Sequence, residues 1–193
     1  MLTITDLFDL DHTIAKDYLA QFTYPWEALA GIKDFILSVG PTLEGYDEVS
    51  PQVWVHKTAT VAPTAFLGGP CIIGPETEVR HCAFIRGSAL VGAGCVVGNS
   101  VELKNVILFD GVQTPHYNYV GDSILGYKSH MGAGSITSNV KSDKLPVIVR
   151  CGDERIDTGR KKVGAMLGDF VEVGCNSVLN PGSVIGRHSI IYP

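Results

Sequence analysis

VHKTATVAPTAFLGGPCIIGPETEVRHCAFIRGSALVGAGCVVGNSVEL, residues 55–103, carries an aliphatic residue at every sixth position: Val55, Val61, Leu67, Ile73, Val79, Ile85, Val91, Val97 and Leu103. A period of six suits neither an amphipathic helix nor an alternating strand, so the repeat itself specifies the architecture. Four positions after each aliphatic residue stands a compact one, as at Ala59, Ala65, Cys71, Thr77, Ala83, Ala89 and Cys95. Glycine recurs one position after it, at Gly68, Gly74, Gly92 and Gly98. Short parallel strands joined by tight turns and wound into a triangular coil account for all three columns. The aliphatic side chain fills the interior, the compact one sits beside a corner, and glycine permits close backbone approach.

The ladder continues with two one-residue slips through Leu108, Thr114, Val120, Leu125, Met131 and Thr137, then resumes at Leu167, Val173, Leu179, Ile185 and Ile191. Residues eighteen apart become near neighbours on one side of such a stack, at the ~4.8 Å spacing of any sheet. Residues 140–166 keep no hexad phase. Val147–Arg150 and Glu154–Thr158 flank Gly152-Asp153 and predict a hairpin within an arm that leaves the coils. Residues 1–48 read differently. Asp11 is expected to cap a helix with Ile14, Ala15, Tyr18, Leu19 and Phe22 on one face. Pro25 is expected to open a second, carrying Trp26, Leu29, Ile32 and Ile36 and closed by Gly40. An open coil end exposes apolar interior and unpaired edges, so these helices are expected to cap it. The fold class is an all-β solenoid, with a helical segment at 1–48, coils at 49–193 and one protruding arm.

The net charge of −5 does not favour broad nucleic-acid binding, and apolar residues spread by the hexad predict no membrane span. Five cysteines without a CxxC pair suggest reduced thiols in a cytoplasmic protein, with Cys71 and Cys95 in compact interior columns.

Departures from the columns carry the functional signal. Arg86 and Lys104 replace glycine one coil apart on one edge, where two stacked cations repel unless an anion lies between or beyond them. Such a pair is as readily two solvated side chains. Further on, His116 follows Pro115, Tyr119 follows three residues later, and Asn139 stands where the arm departs. Together they suggest a groove for a phosphorylated ligand.

The repeat resembles the hexapeptide-repeat family, which implies a left-handed parallel β-helix. Arg86, Glu102 with Lys104, His116-x-x-Tyr119-x-Gly121-Asp122 and Gly132-Ala-Gly-Ser-Ile-Thr-Ser-Asn139 resemble one group within it. That group is the acetyltransferase domain of bifunctional N-acetylglucosamine-1-phosphate uridylyltransferase/glucosamine-1-phosphate acetyltransferases. GRKKVGAMLGD at 159–169 is similar to archaeal sugar-1-phosphate nucleotidylyltransferase/acetyltransferases. The resemblance implies an acetyl-CoA-dependent N-acetyltransferase acting on glucosamine 1-phosphate or a related aminosugar phosphate, in UDP-N-acetylglucosamine supply. His116 would be the general base, with Glu102 orienting its ring or holding the amine. Arg86, Lys104, Tyr119, His130, Asn139 and Lys144 would contact the sugar phosphate, and Asn139 and Cys175 acetyl-CoA. Arg160, Lys161 and Lys162 are further candidates for CoA phosphates, although a basic run is usually solvated. A homotrimer with sites between subunits is implied. The chain departs from the pattern at His130, where the family commonly has Asn, and at Val140, where it has an aromatic. Lys144 stands one place early, and Cys175 replaces a serine. A catalytically silent sugar-nucleotide-binding trimer is the alternative.

Two other readings are set aside. Phe8-Asp-Leu-Asp-His-Thr13 mimics a phosphatase nucleophile motif, but no βαβ pattern follows. His81 and His116 share a corner, as zinc ligands do in some enzymes of this fold, but Gly121 stands where a third histidine is needed.

Overall fold

Two sheets of parallel strands, joined at tight corners, wind residues 53–191 into a left-handed β-helix. The computed structural model describes residues 2–193. The first face holds Val53–His56, Cys71–Ile73, Ala89–Val91, Ala165–Leu167 and Ser183–Ile185. The second holds Thr60–Val61, Glu78–Val79, Val96–Asn99, Gln113–His116, His130–Met131, Glu172–Val173 and Ile190–Ile191. The third holds Phe66–Leu67, Phe84–Ile85, Ile136–Thr137 and Val178–Leu179. Strands Glu102–Leu108 and Tyr119–Leu125 turn the corner from the third face onto the first without a break. The hexad column lies inside as expected: Ile73, Val91, Val97, Ile85, Leu103, Val120, Leu125 and Met131 are all buried. Each such side chain contributes roughly 1.5–3 kcal/mol relative to an exposed one.

The two slips have a structural cause. Between the third and first faces, Ile85 and Ala89 are separated by Arg86, Gly87 and Ser88. One coil on, only Lys104 and Asn105 separate Leu103 from Val106; in the next, only Gly121 and Asp122 separate Val120 from Ser123. These corners are one residue shorter, and Asn105 (φ 55°) and Asp122 (φ 48°) take up the left-handed region in them, as Ser88 (φ 51°) does in the longer corner. Asn and Asp tolerate that region better than other side chains.

The helical segment covers the side of the stack rather than its open end. One position before the interior column, Trp54, Ile72, Leu90, Ile107, Ile124 and Met166 register on one another along the outside of the first face, and all are buried. Such an apolar stripe needs cover. Residues 4–42 provide it as a strap. The Asp169 amide donates to the Leu7 carbonyl (3.0 Å), the Asp110 amide to His12 (3.0 Å), and Asn105 Nδ2 to Leu29 (3.2 Å). Gly40 lies so close to the Trp54 ring that a methyl group would overlap it. The exposed edge of the first face is instead closed by Tyr46–Ser50, which pairs antiparallel with Val53–His56.

The helices themselves are shorter than the periodicity predicts. Asp11 is not a cap: it pairs with Lys16, while the Asp9 side chain accepts from the Asp11 amide (3.1 Å) at the 3-10 turn Leu10–His12. The helix that follows spans only Lys16–Leu19, and Ile14 is exposed. Pro25 opens a 3-10 turn, Pro25–Ala30, which Gly31 separates from the helix Ile32–Val39. Trp26, Leu29, Ile32 and Ile36 are nevertheless all buried, and Gly40 ends that helix.

The arm hairpin forms as expected, with Ile148–Cys151 antiparallel to Glu154–Asp157. Its base is docked rather than free, because Val147 and Val149 are buried. Cys71 and Cys95 lie within the coils, where burial pushes both thiols up to about 12. Native protein at pH 8 is therefore expected to react with a thiol reagent at exposed Cys82 and Cys175 within minutes, and at Cys71 and Cys95 only on unfolding. Labelled peptides identified by mass spectrometry check this; early modification of Cys95 would contradict the packing.

Candidate functional site

The shortened corner gathers the polar residues that break the repeat. Arg86 Nη1 donates to Glu102 Oε1 (2.7 Å), an ion pair whose two partners are both partly exposed. One coil further, the buried Asp122 carboxylate receives three donors: Lys104 Nζ (3.3 Å), Asn105 Nδ2 (2.9 Å) and Asn139 Nδ2 (2.6 Å). A buried carboxylate is tolerated only when so satisfied. Asn105 also bonds to the Leu29 carbonyl, so the same carboxylate ties the corner to the helical strap.

Tyr119 lies across this cluster. Its hydroxyl sits where a side chain on Gly121 would be, only 2.4 Å from that position, with Asn139 Nδ2 at 3.0 Å from it. A side chain at 121 would displace the Tyr119 hydroxyl from this position. Burial, then the Asp122 and Glu102 carboxylates, push the Tyr119 phenol above its ordinary value, which keeps it a neutral hydrogen-bonding group. Arg86 and Lys104 open onto one pocket of ≈ 320 Å³, lined also by Gly69, Gly87, Ser88 and Lys33. Lys33 comes from the helix Ile32–Val39, and no spacing within the hexad repeat would have found it.

His116 lies on the opposite edge of the third face, at the corner it shares with the second. Its side chain is exposed, while its backbone is held on both sides. The His116 amide donates to Asn118 Oδ1 (3.2 Å), and its carbonyl accepts from the Gly134 amide (3.0 Å). Asn118 is buried and donates onward to the Gly132 carbonyl (2.8 Å), so this asparagine fixes the turn that presents the imidazole. Cys175 belongs to the same corner one coil beyond Gly134, where the Asn176 amide bonds to Ala133 (2.8 Å).

Of the expected site residues, Arg86, Glu102, Lys104, Tyr119 and Asn139 come together, and His116 and Cys175 share a corner across the face from them. Glu102 is engaged by Arg86 rather than by the His116 ring. His130 points elsewhere: it stands on the second face, where its Nδ1 meets Glu172 Oε2 at 2.9 Å, beside Gln113 and Lys128. Lys144 is an exposed residue of the turn at the arm's root, with its amide bonded to the Lys141 carbonyl (3.0 Å). Asp122, Asn105, Asn118 and Lys33 complete the constellation. Asp122 and Asn105 were marked in the sequence by the slips, whose short corners they occupy. Among the described residues no group of three or more His, Cys, Asp or Glu is placed to hold a metal ion, and no helix is long and apolar enough to cross a membrane.

The chain is similar to several known proteins. A bifunctional GlmU protein of Methanococcus maripaludis is 33% identical over 180 residues, which is 91% of this chain but 44% of that protein. A bifunctional sugar-1-phosphate nucleotidylyltransferase/acetyltransferase of Sulfurisphaera tokodaii is 38% identical over 90 residues, 47% of this chain and 22% of that protein. The chain thus spans less than half the length of these relatives. Among solved structures, the acetyltransferase domain of PglB from Neisseria gonorrhoeae aligns over 72% of this chain and 53% of its own, at 18% identity and a TM-score of 0.32. The family model for the GMPPB C-terminal domain matches residues 69–191, a span that holds every coil residue of the site just described. By that match, this β-helix belongs to the GMPPB C-terminal domain family.

Proposed function

We propose that the chain is an acetyl-CoA-dependent N-acetyltransferase acting on glucosamine 1-phosphate or a related aminosugar phosphate. The observation that carries this reading is the corner where Arg86, Lys104 and Lys33 line one pocket beside Tyr119 and Asn139. Convergent cations beside neutral donors suit a phosphate ester joined to a sugar. The likeness to bifunctional acetyltransferases supports the reaction class.

In this mechanism the sugar phosphate docks at the corner, with the amine directed toward His116. The neutral amine attacks the thioester carbonyl carbon, and the C–S bond breaks as the tetrahedral intermediate collapses. His116 takes the proton that the nitrogen loses and delivers it to the departing CoA sulfur. An imidazole does both because its ordinary pKa lies near neutrality. His116 and the phosphate pocket stand on opposite edges of one face, whose middle carries the exposed apolar side chains Phe66, Phe84 and Val178. Packing of further copies against this face in a homotrimer would close the site between subunits, and a cytoplasmic setting supplies acetyl-CoA.

The test is release of free CoA thiol over a panel of aminosugar phosphates, with glucosamine 1-phosphate first. Turnover on one of them, dependent on its phosphate, is the expected result. Calorimetric binding of a nucleotide sugar without thiol release on any panel member would replace this reading with a catalytically silent sugar-nucleotide-binding trimer.

A further inference from the structure

The arm places two like charges where a bare hairpin would not keep them. Arg150 stands directly opposite Arg155 in the antiparallel pair Ile148–Cys151 and Glu154–Asp157. Like charges at opposed positions destabilise a two-stranded ribbon, and such ribbons are marginal even without them. Among the described residues neither guanidinium has a carboxylate within 4.0 Å. Their neighbour Lys141 is paired with Asp143 (2.9 Å).

The pair is also held in place. Val147 and Val149 are buried, the Val147 amide bonds to the Arg160 carbonyl (2.8 Å), and Gly182 leaves the space that Val147 fills. The hairpin is thereby fastened over the last coils. Between them lies a groove of ≈ 550 Å³, lined by Arg150, Arg155, Lys141 and Asp143, with Ser138 and Asn180 as neutral donors. Three cations against one carboxylate leave this groove positive in a chain whose net charge is −5. A diphosphate matches it in charge. It would also relieve the repulsion between the two arginines by accepting from both, and Arg is suited to fork its donors onto phosphate oxygens.

We infer that this groove binds a diphosphate-bearing ligand group. Two sources share that chemistry: the phosphorylated end of a coenzyme A thioester and the diphosphate of a nucleotide-linked sugar. The groove is distinct from the Arg86–Lys104 pocket, and only the choice of coenzyme A as a probe rests on the acetyltransferase reading.

Titration calorimetry on the full chain at low salt, with coenzyme A, uridine diphosphate and inorganic pyrophosphate in turn, tests the inference. The Arg150→Ala/Arg155→Ala protein is expected to bind tenfold or more weakly, with a Tm no lower than that of the wild type. Arg150→Gln/Arg155→Gln is expected to behave alike, and Lys57→Ala, at the other end of the stack, to bind normally. Arginine-dependent binding of coenzyme A alone assigns the groove to the thioester, of uridine diphosphate alone to a nucleotide sugar, and of all three to diphosphates at large. The inference is overturned if the double variants bind every probe like the wild type, or if the wild type binds none. Arginine-dependent binding without acetyl transfer to any sugar would leave this site standing and remove the acetyltransferase reading. Acetyl transfer with arginine-independent binding would do the reverse.

Discussion

His116→Ala is expected to lower kcat for acetyl transfer by about 10²–10⁴-fold, the range that a positioned general base contributes. The Michaelis constant for the sugar phosphate should move little, because the phosphate contacts stand on the other edge of the face at Arg86 and Lys104. Stability should stay within about 0.5 kcal/mol of the wild type, since the imidazole is exposed and the turn beneath it is held by Asn118 and backbone bonds. The measurement is steady-state thiol release with a urea melt on the same preparation. A variant that turns over like the wild type would remove His116 from the reaction and leave the corner as a binding site only.

Asp122→Ala is the substitution expected to do most damage to the fold and the site together. It strands a lysine ammonium that is itself mostly buried and takes the acceptor from Asn105 and Asn139. Breaking a buried pair by removing one partner costs about 3–5 kcal/mol, and partial exposure of Lys104 argues for the lower end, about 3 kcal/mol. Its effect on binding separates two physical accounts. If Asp122 acted only through charge, its removal would raise the positive potential and tighten phosphate binding. If it acts by holding Lys104 and Asn139 in position, binding weakens. The second is expected, because three donors, Lys104 and Asn105 from one coil and Asn139 from another, converge on this one carboxylate. Urea unfolding and sugar-phosphate affinity for Asp122→Ala and Asp122→Asn check both parts. A loss of stability under 0.5 kcal/mol would mean that the donors satisfy themselves elsewhere.

The coils were legible because interior packing imposes one residue type at a fixed interval, and the slips were legible because they interrupt it. The same rule exposed Arg86 and Lys104, which occupy glycine positions. The side cover was misread as an end cap for a definite reason. Trp54, Ile72, Leu90, Ile107, Ile124 and Met166 form a second apolar column, one position ahead of the interior one and present only on every third hexad. That column names the face the helices cover, and a reading confined to the interior column passes over it. The eighteen-residue rule stacks residues along an edge but does not say which edge. His116 therefore falls across the face from the cations, and His130 falls one face away, against Glu172. Lys33 lay outside any periodic signal, since it reaches the pocket from a helix remote in sequence.

A stack of coils in which each touches only its neighbours resembles a one-dimensional array, free to fray from either end. The strap alters that behaviour. It is bonded to the Asp169 coil at one extremity, through Leu7 and the Asp9 amide, and rests on Trp54 at the other, through Gly40. Rungs that never meet each other are thereby joined through a common splint, so loosening one loosens the purchase of the rest. Melting then becomes a single concerted event, and the phosphate corner, pinned to the splint at Asn105, persists until the whole molecule lets go.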